Sequence, residues 1–439
     1  MFLTSILRNH KAMKKKFPVI LLVLFTGLLI FLTLNRHSKS GYGNYHSEIW
    51  ADKAGYYVYL PATFIYGFND STYSDSITTK TGHGFVFDAT TKQLQTKYNY
   101  GVALLELPFF AVAHMLAKKK DGFGPAYHKA LDVAAVVYFV IAFLLLCAVF
   151  REKYSVSIVV LGILTLFAGT GLYYYVIDEV GMSHVYSFFL FALFLYSIRK
   201  LDFGLANKNF AFFALGFLAL LIVIVRPTNI IFLGIIFWYN AKTWQEIKCR
   251  FRAIFMSKRL IYLFLGGFLA IVPQLIYWKI MTGEYIVYSY GNESFNWINP
   301  RIFEVLFGAR NGLFTYSPLY LFLLIISVIY LRSNKIILIG FIGSFVLLTY
   351  ILSCWWDPGF GCSFGARSYV EYNVLFLFPL LKLYSDYKNF GWVKRIIISL
   401  IILACIGFNM KLIYTYDNCF FGDFWDWDVY KNLLFSPTK

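Results

Sequence analysis

Two carboxylates four residues apart, Glu48 and Asp52, open the chemistry of this chain. They lie in HSEIWADKAGYYVYLPATF, residues 46 to 64, shortly after a long apolar run ends and beside a wall of aromatics. An ionised carboxyl in such a place can accept a proton from an attacking hydroxyl, so both acids are catalytic candidates. Related polar groups recur at the ends of later apolar runs. Asp178, Glu179 and His184 stand in YVIDEVGMSH, Arg226 in VRPTN, and Arg310 before NGLFTYSPL; Asp357, Arg367 and Glu371 share WWDPGFGCSFGARSYVEYN. Acids beside guanidiniums suit a reaction in which one group deprotonates a nucleophile while cations stabilise an anionic leaving group. Tyr57, in the aromatic wall after Asp52, is a further candidate for holding substrate.

Each residue also has a plainer role. An acid at a membrane surface is most often a solvated loop charge, and a lone arginine there can snorkel to lipid headgroups. Asp52 stands apart because it opens an aromatic-rich helical stretch. Arg226 stands apart because a guanidinium beside a proline, between apolar runs, is costly unless paired or bound to a phosphate. His184 can cap a helix, and Trp355 and Trp356 suit either an aromatic belt or a sugar-stacking platform. GFGCSFGA has no P-loop lysine after it and no strand–helix context, which argues against nucleotide binding.

The elements that must position these groups are membrane helices. Of 439 residues, 59% are hydrophobic and only 14% charged, a composition that excludes an ordinary soluble domain. Apolar runs near the ~20 residues needed to cross hydrocarbon recur along the chain. The first, FPVILLVLFTGLLIFLTL at 17–34, follows RNHKAMKKK and precedes NRHSKSGYG, which has no A-x-A cleavage pattern, so an uncleaved first helix is expected. Further spans near 130–150, 155–174, 184–198, 209–225, 228–241, 260–281, 318–331, 336–353, 373–385 and 396–415 give an all-α polytopic protein with about 11 crossings.

Basic residues orient this topology. The segments 1–16, 151–155, 199–208, 242–259, 332–335 and 382–395 hold 22 of the 40 lysines and arginines, whereas the short loop 175–184 has none. The positive-inside rule then sets the N-terminus in the cytoplasm of a cytoplasmic membrane and the candidate residues outside it. The formal charge of +17 is accounted for by orientation, and no basic, aromatic-interleaved region suggests nucleic acid.

The chain reads as one integral membrane domain over 1–439. Its outer parts are 35–129, 282–317, 355–372 and a tail over 416–439. Within the first, 52–68 and 101–117 read as interfacial helices, separated by a polar, mobile loop from Asn69 to Gln93. Cys354, Cys362 and Cys419 are expected to face outward, which makes Cys362–Cys419 and Cys354–Cys362 the candidate bridges. No ligand spacing suggests a zinc or iron–sulfur site.

WADKAGYYVYLPATF, YNYGVALLELPFF, MSHVYSFFLFALFLY, VRPTNIIFLG, GLFTYSPLYLF and GCSFGARSYVEYNVLFLFPL, in this order, resemble bacterial members of the GT-C glycosyltransferase superfamily, whose characterised relatives include protein O-mannosyltransferases and lipid A aminoarabinose transferases. The resemblance covers about residues 17–415. It implies a helical module, interfacial helices in the first outer loop, a catalytic acid in that loop and a polyprenyl-phosphate sugar donor. The acid falls on Asp52; because this chain has ADK where those families often have two adjacent acids, Glu48 stays a rival. Asp178 or Glu179 matches the acid after the third span, and Arg226 and Arg367 match phosphate-binding positions. The lack of a D-x-D pair favours metal independence, with no cofactor beyond the lipid-linked substrate.

The expected activity is therefore inverting transfer of a sugar from a polyprenyl phosphate to a lipid, glycan or protein acceptor. The rival is a transporter or flippase of lipid-linked sugars. Transporters usually place ionisable groups at the bilayer midplane on broken helices and carry repeated halves.

Overall fold

The computed structural model describes residues 2–74, 76–199, 209–362, 364–416 and 426–437, with side chains from residue 19 onward. The apolar runs become helices, because hydrocarbon offers no water to satisfy backbone N–H and C=O groups. In chain order they are α1 (Phe2–His37), α2 (Asp52–Tyr57), α3 (Gly101–Leu116), α4 (Pro125–Phe150), α5 (Val156–Gly169), α6 (Leu172–Ile177) and α7 (Ser183–Arg199). There follow α8 (Asn209–Val225), α9 (Leu260–Thr282), α10 (Leu319–Tyr330), α11 (Lys335–Ser353), α12 (Asn373–Asp386) and α13 (Trp392–Thr415).

Five of the described helices are long and apolar enough to cross a bilayer: residues 19–37 of α1, then α4, α9, α11 and α13. Shorter apolar helices stand among them, including α3, α5, α7, α8 and α10. This is a helical, multi-pass membrane protein.

Two expected crossings are broken. The run 155–174 divides because α5 stops at Gly169, Thr170 is extended and α6 resumes at Leu172. The freed carbonyls are satisfied from α13: the Asn409 amide donates to the carbonyls of Ala168 and Thr170, both at 3.0 Å, the kind of repair that makes a helix break tolerable in lipid. The run 228–241 becomes a 3-10 turn (Pro227–Asn229) and two four-residue helices, Ile230–Leu233 and Ile235–Trp238. Proline has no N–H to continue α8.

The segment between α1 and α4 holds more structure than its composition suggests. The polar stretch after Asn69 is folded: β1 (Val86–Phe87) pairs antiparallel with β2 (Leu94–Gln95), and Asn69 bridges Gln93. Tyr73, Phe85 and Leu94 pack with Val58 and Ala62 into a small separate core. Three apolar side chains thus anchor a stretch whose composition suggests mobility. The 101–117 piece is α3, which packs against α4, with lesser contacts to α7 and α8. Its Glu106 is wholly buried, where Oε1 accepts from the Tyr186 hydroxyl at 3.1 Å.

Cys362 is disulfide-bonded, while Cys147, Cys249, Cys354 and Cys405 are free. The Cys354–Cys362 alternative is thereby excluded; Cys419 lies outside the described residues.

α8 and α9 form the most intimate helix pair among the described elements. A Cβ at Gly216 would sit 2.0 Å from the Leu263 carbonyl oxygen, and one at Gly266 1.9 Å from that of Phe213. Small residues let two helix backbones touch where lipid supplies no hydrophobic drive for association. Gly266→Val should therefore cost about 3 kcal/mol, the upper end for overpacking, read as a lowered thermal midpoint of the detergent-solubilised protein. An unchanged midpoint would contradict this packing.

Candidate active site

Asp52 begins α2, and the residue that delivers it is strained. Ala51 has φ +48°, a left-handed conformation that costs a non-glycine residue energy. Its amide donates to the Thr81 carbonyl at 2.9 Å, and its own carbonyl lies where a Cβ on Gly84 would be only 2.0 Å away. The folded 69–93 stretch thus clamps the turn. Four residues earlier Glu48 takes a different course and is buried against His128, 2.8 Å from Nδ1.

Beyond Asp52 lies a cavity of about 1010 Å³, at the top of the usual size range for small-molecule sites. Asp52, Asp178, Glu179, Arg226, Arg310 and Arg367 all line it. The structure adds Arg36, Lys53 and Lys97 to the lining, and supplies aromatic wall from Tyr56, Tyr98, Tyr290, Trp355 and Trp356. Glu48 does not line it, so of the two rival acids only Asp52 faces the chamber. Tyr57 does not line it either: its side chain is buried and its hydroxyl donates to the Gly122 carbonyl. The residue that serves the cavity from that wall is its neighbour Tyr56.

The six lining cations each meet an acid. Arg36 is 2.5 Å from Asp178, Lys53 2.9 Å from Glu179, and Lys97 3.1 Å from Glu293. Arg310 is 3.1 Å from Asp357, and Arg367 Nη1 donates to Asp52 Oδ2 at 3.1 Å. Arg226 is different, because its counter-charge lies behind the wall. Its Nε is 3.5 Å from Oε1 of Glu371, whose side chain is buried and absent from the lining. Arg226 Nη2 donates to Ser368 Oγ at 2.7 Å, and Nη1 rests 3.2 and 3.4 Å from the two nitrogens of His184. His184, fully buried, is 2.8 Å from Glu371 through Nδ1. His184 and Glu371 therefore stand behind Arg226 and aim it.

Burial alone would raise the Asp52 carboxyl, but the Arg367 guanidinium, then Lys97 and the Tyr98 hydroxyl, overrule it and hold the group below its ordinary range. Asp52 is ionised at neutral pH and available as a proton acceptor. Glu48 is also held well below the usual carboxylate range: burial opposes its charge, and His128 and His37 outweigh that opposition.

Arg36, Lys53 and Lys97 were not singled out from sequence, because a lysine or arginine near the end of an apolar run is the ordinary orienting charge. The one available signal was KYNY, residues 97–100, a cation and two tyrosines directly ahead of the apolar run of α3. The aromatic side of the WWDPGFG stretch does reach the site, since Trp355 and Trp356 both face the cavity. Asp357 accepts from the amides of Gly359 (3.1 Å) and Gly361 (2.6 Å), which folds that glycine-rich loop on itself.

No family model matches the chain, and no curated protein matches it in sequence.

Removing the buried acid that supports Arg226 leaves a largely desolvated guanidinium without its charge partner. Glu371→Ala should destabilise the protein by about 3–5 kcal/mol, the range for breaking a buried ion pair, measured by thermal or denaturant unfolding in detergent. Wild-type stability would refute the pairing.

Proposed function

We propose that the chain is a membrane glycosyltransferase that moves a sugar from a polyprenyl phosphate to an acceptor hydroxyl, with inversion at the anomeric carbon. In this reading the chain crosses the cytoplasmic membrane about eleven times with its N-terminus inside, and the cavity opens at the extracytoplasmic face. Broken runs such as α5–α6 count as single crossings.

The observation that carries the proposal is one chamber holding an ionised carboxylate, Asp52, together with Arg367 and the rear-supported Arg226. The acceptor oxygen attacks the anomeric carbon as Asp52 takes its proton. The bond from that carbon to the phosphate oxygen breaks, and its electron pair leaves with the polyprenyl phosphate. Arg226, whose counter-ion sits outside the cavity, receives the departing phosphate, with Arg367 beside it. Asp178 and Glu179, fixed by Arg36 and Lys53, orient the sugar hydroxyls; Trp355 and Trp356 offer apolar faces for the ring. The GT-C resemblance supports the same assignment of Asp52, Arg226 and Arg367.

Purified protein incubated with a panel of polyprenyl-phosphate sugars should release the carrier. Asp52→Asn should lower that rate by about 10²–10⁴-fold, the usual value of a general base, while the variant stays folded. Full activity in this variant, or no carrier release by the wild type with any donor, contradicts the proposal. Passage of intact lipid-linked sugar across a bilayer without bond cleavage would establish the transporter reading instead.

Acidity gives a second check. Because the Asp52 pKa is depressed, activity should hold through the neutral range and fall only as pH drops through that low pKa. Arg367→Gln removes the main opposing charge and lets burial raise the pKa, so the acid limb of kcat/KM should move to higher pH. An unmoved limb would show that another group titrates.

A further inference from the structure

At one wall of the cavity, which His37 helps to line, four nearly buried titratable side chains from three elements meet. His37 ends α1, Glu48 comes from the following loop, and His128 and Asp132 stand one turn apart on α4. His37 Nδ1 lies 2.6 Å from Asp132 Oδ1 and 4.0 Å from Glu48 Oε1; Glu48 Oε2 lies 2.8 Å from His128 Nδ1. None of the four is more than 6% exposed.

The hydrogen bonds constrain what fills the centre. His37 Nε2 is 3.0 Å from the Asp178 carbonyl, which can only accept, so Nε2 carries hydrogen. In a neutral imidazole Nδ1 is then a bare lone pair, and it faces a carboxylate oxygen at 2.6 Å. Two lone pairs do not meet at that distance without a positive centre between them, either a proton or a metal ion. Asp132 Oδ2, shut off from solvent, has no hydrogen-bond partner among the described residues, as expected of an oxygen reserved for a cation.

From this we infer that His37, Glu48 and Asp132, with His128 completing the shell, form a site for a divalent transition-metal ion of the zinc type, separate from the transfer chemistry. One ligand atom from each of the first three lies within 4.8 Å of the others. Around a tetrahedral ion with bonds of ~2.0–2.1 Å, ligand atoms stand ~3.3 Å apart, so an entering ion parts His37 from Asp132, now at 2.6 Å, and draws Glu48 in from 4.0 Å. Two carboxylates neutralise a divalent charge, and an imidazole–carboxylate set without thiolate suits zinc among the first-row ions. The His37 Nε2–H bond to a backbone carbonyl is the outer support that metal-binding histidines use to fix their tautomer. The ion rivets Glu48, four residues before Asp52, to α1 and α4, and so positions the start of α2. Its ligands come from three elements, and only His128 and Asp132, both on α4, are near each other in sequence, which is why no full ligand motif announces it.

The test reads metal, not activity, so it stands whether or not the transferase proposal does. Full-length protein in detergent, incubated with Zn²⁺ and freed of excess by gel filtration, should carry one zinc per chain by elemental analysis. Chelation should lower its thermal midpoint and added Zn²⁺ restore it. Glu48→Gln and Asp132→Asn should lose the ion, whereas Asp52→Asn keeps it. Absorption spectroscopy at the zinc edge of the wild type should report nitrogen and oxygen ligands only, which decides the matter if a variant fails to fold. Wild type without stoichiometric zinc, retention of it in Asp132→Asn, or sulfur in the shell overturns the inference; in the first case the central charge is a proton on His37.

Discussion

The ion pair between Asp52 and Arg367, 3.1 Å long and spanning 315 residues of sequence, is the contact on which the cavity depends. It joins the segment that follows α1 to the loop that leads into α12, and so closes one wall of the chamber around a charged group. Such a pair is weak evidence for stability, since desolvating two charges can cost as much as their attraction returns. Both partners remain partly accessible from the cavity. The pair is better understood as an arrangement that keeps a carboxylate ionised and aimed, at the expense of a strained residue, Ala51, immediately before it.

The same logic extends around the wall. Five of the six lining cations meet acids that also face the cavity, which leaves the chamber nearly neutral despite its density of charge. Arg226 breaks the pattern, because Glu371 neutralises it and His184 helps to orient it from behind. An anion entering the chamber therefore finds one guanidinium whose partner it need not displace. Ser368, adjacent to Arg367, also binds Arg226, so both guanidiniums are fixed by the same short 3-10 turn, Arg367–Tyr369.

Much of this was legible in the sequence, for a physical reason. Membrane helices announce themselves because lipid demands continuous apolar runs, so α1, α4, α9, α11 and α13 coincide with expected spans. The breaks at Thr170 and Gly234 were hidden because the residues around them stay apolar. The repair at Thr170 comes from Asn409, far along the chain. The fold of the 69–93 stretch was hidden because three scattered apolar residues do the anchoring. Asp52, Arg226 and Arg367 could be found as candidates, since charge at the rim of an apolar run is costly and needs a cause. The choice of Asp52 over Glu48 could not be made, because both lie in one short stretch and only the turn at Ala51 separates their directions. Tyr57 failed for a similar reason: one residue's rotation around α2 gave the cavity to Tyr56 instead.

The central claim is that Asp52 and Arg367 act as one unit on a lipid-linked sugar phosphate. A double-substitution cycle measures this directly, with initial rates of polyprenyl-phosphate release compared for wild type, Asp52→Asn, Arg367→Gln and the double variant. Residues that work as a unit lose their effects non-additively, so the double variant should be about as slow as Asp52→Asn alone. Losses that multiply, or a wild type that releases no carrier, would contradict the account.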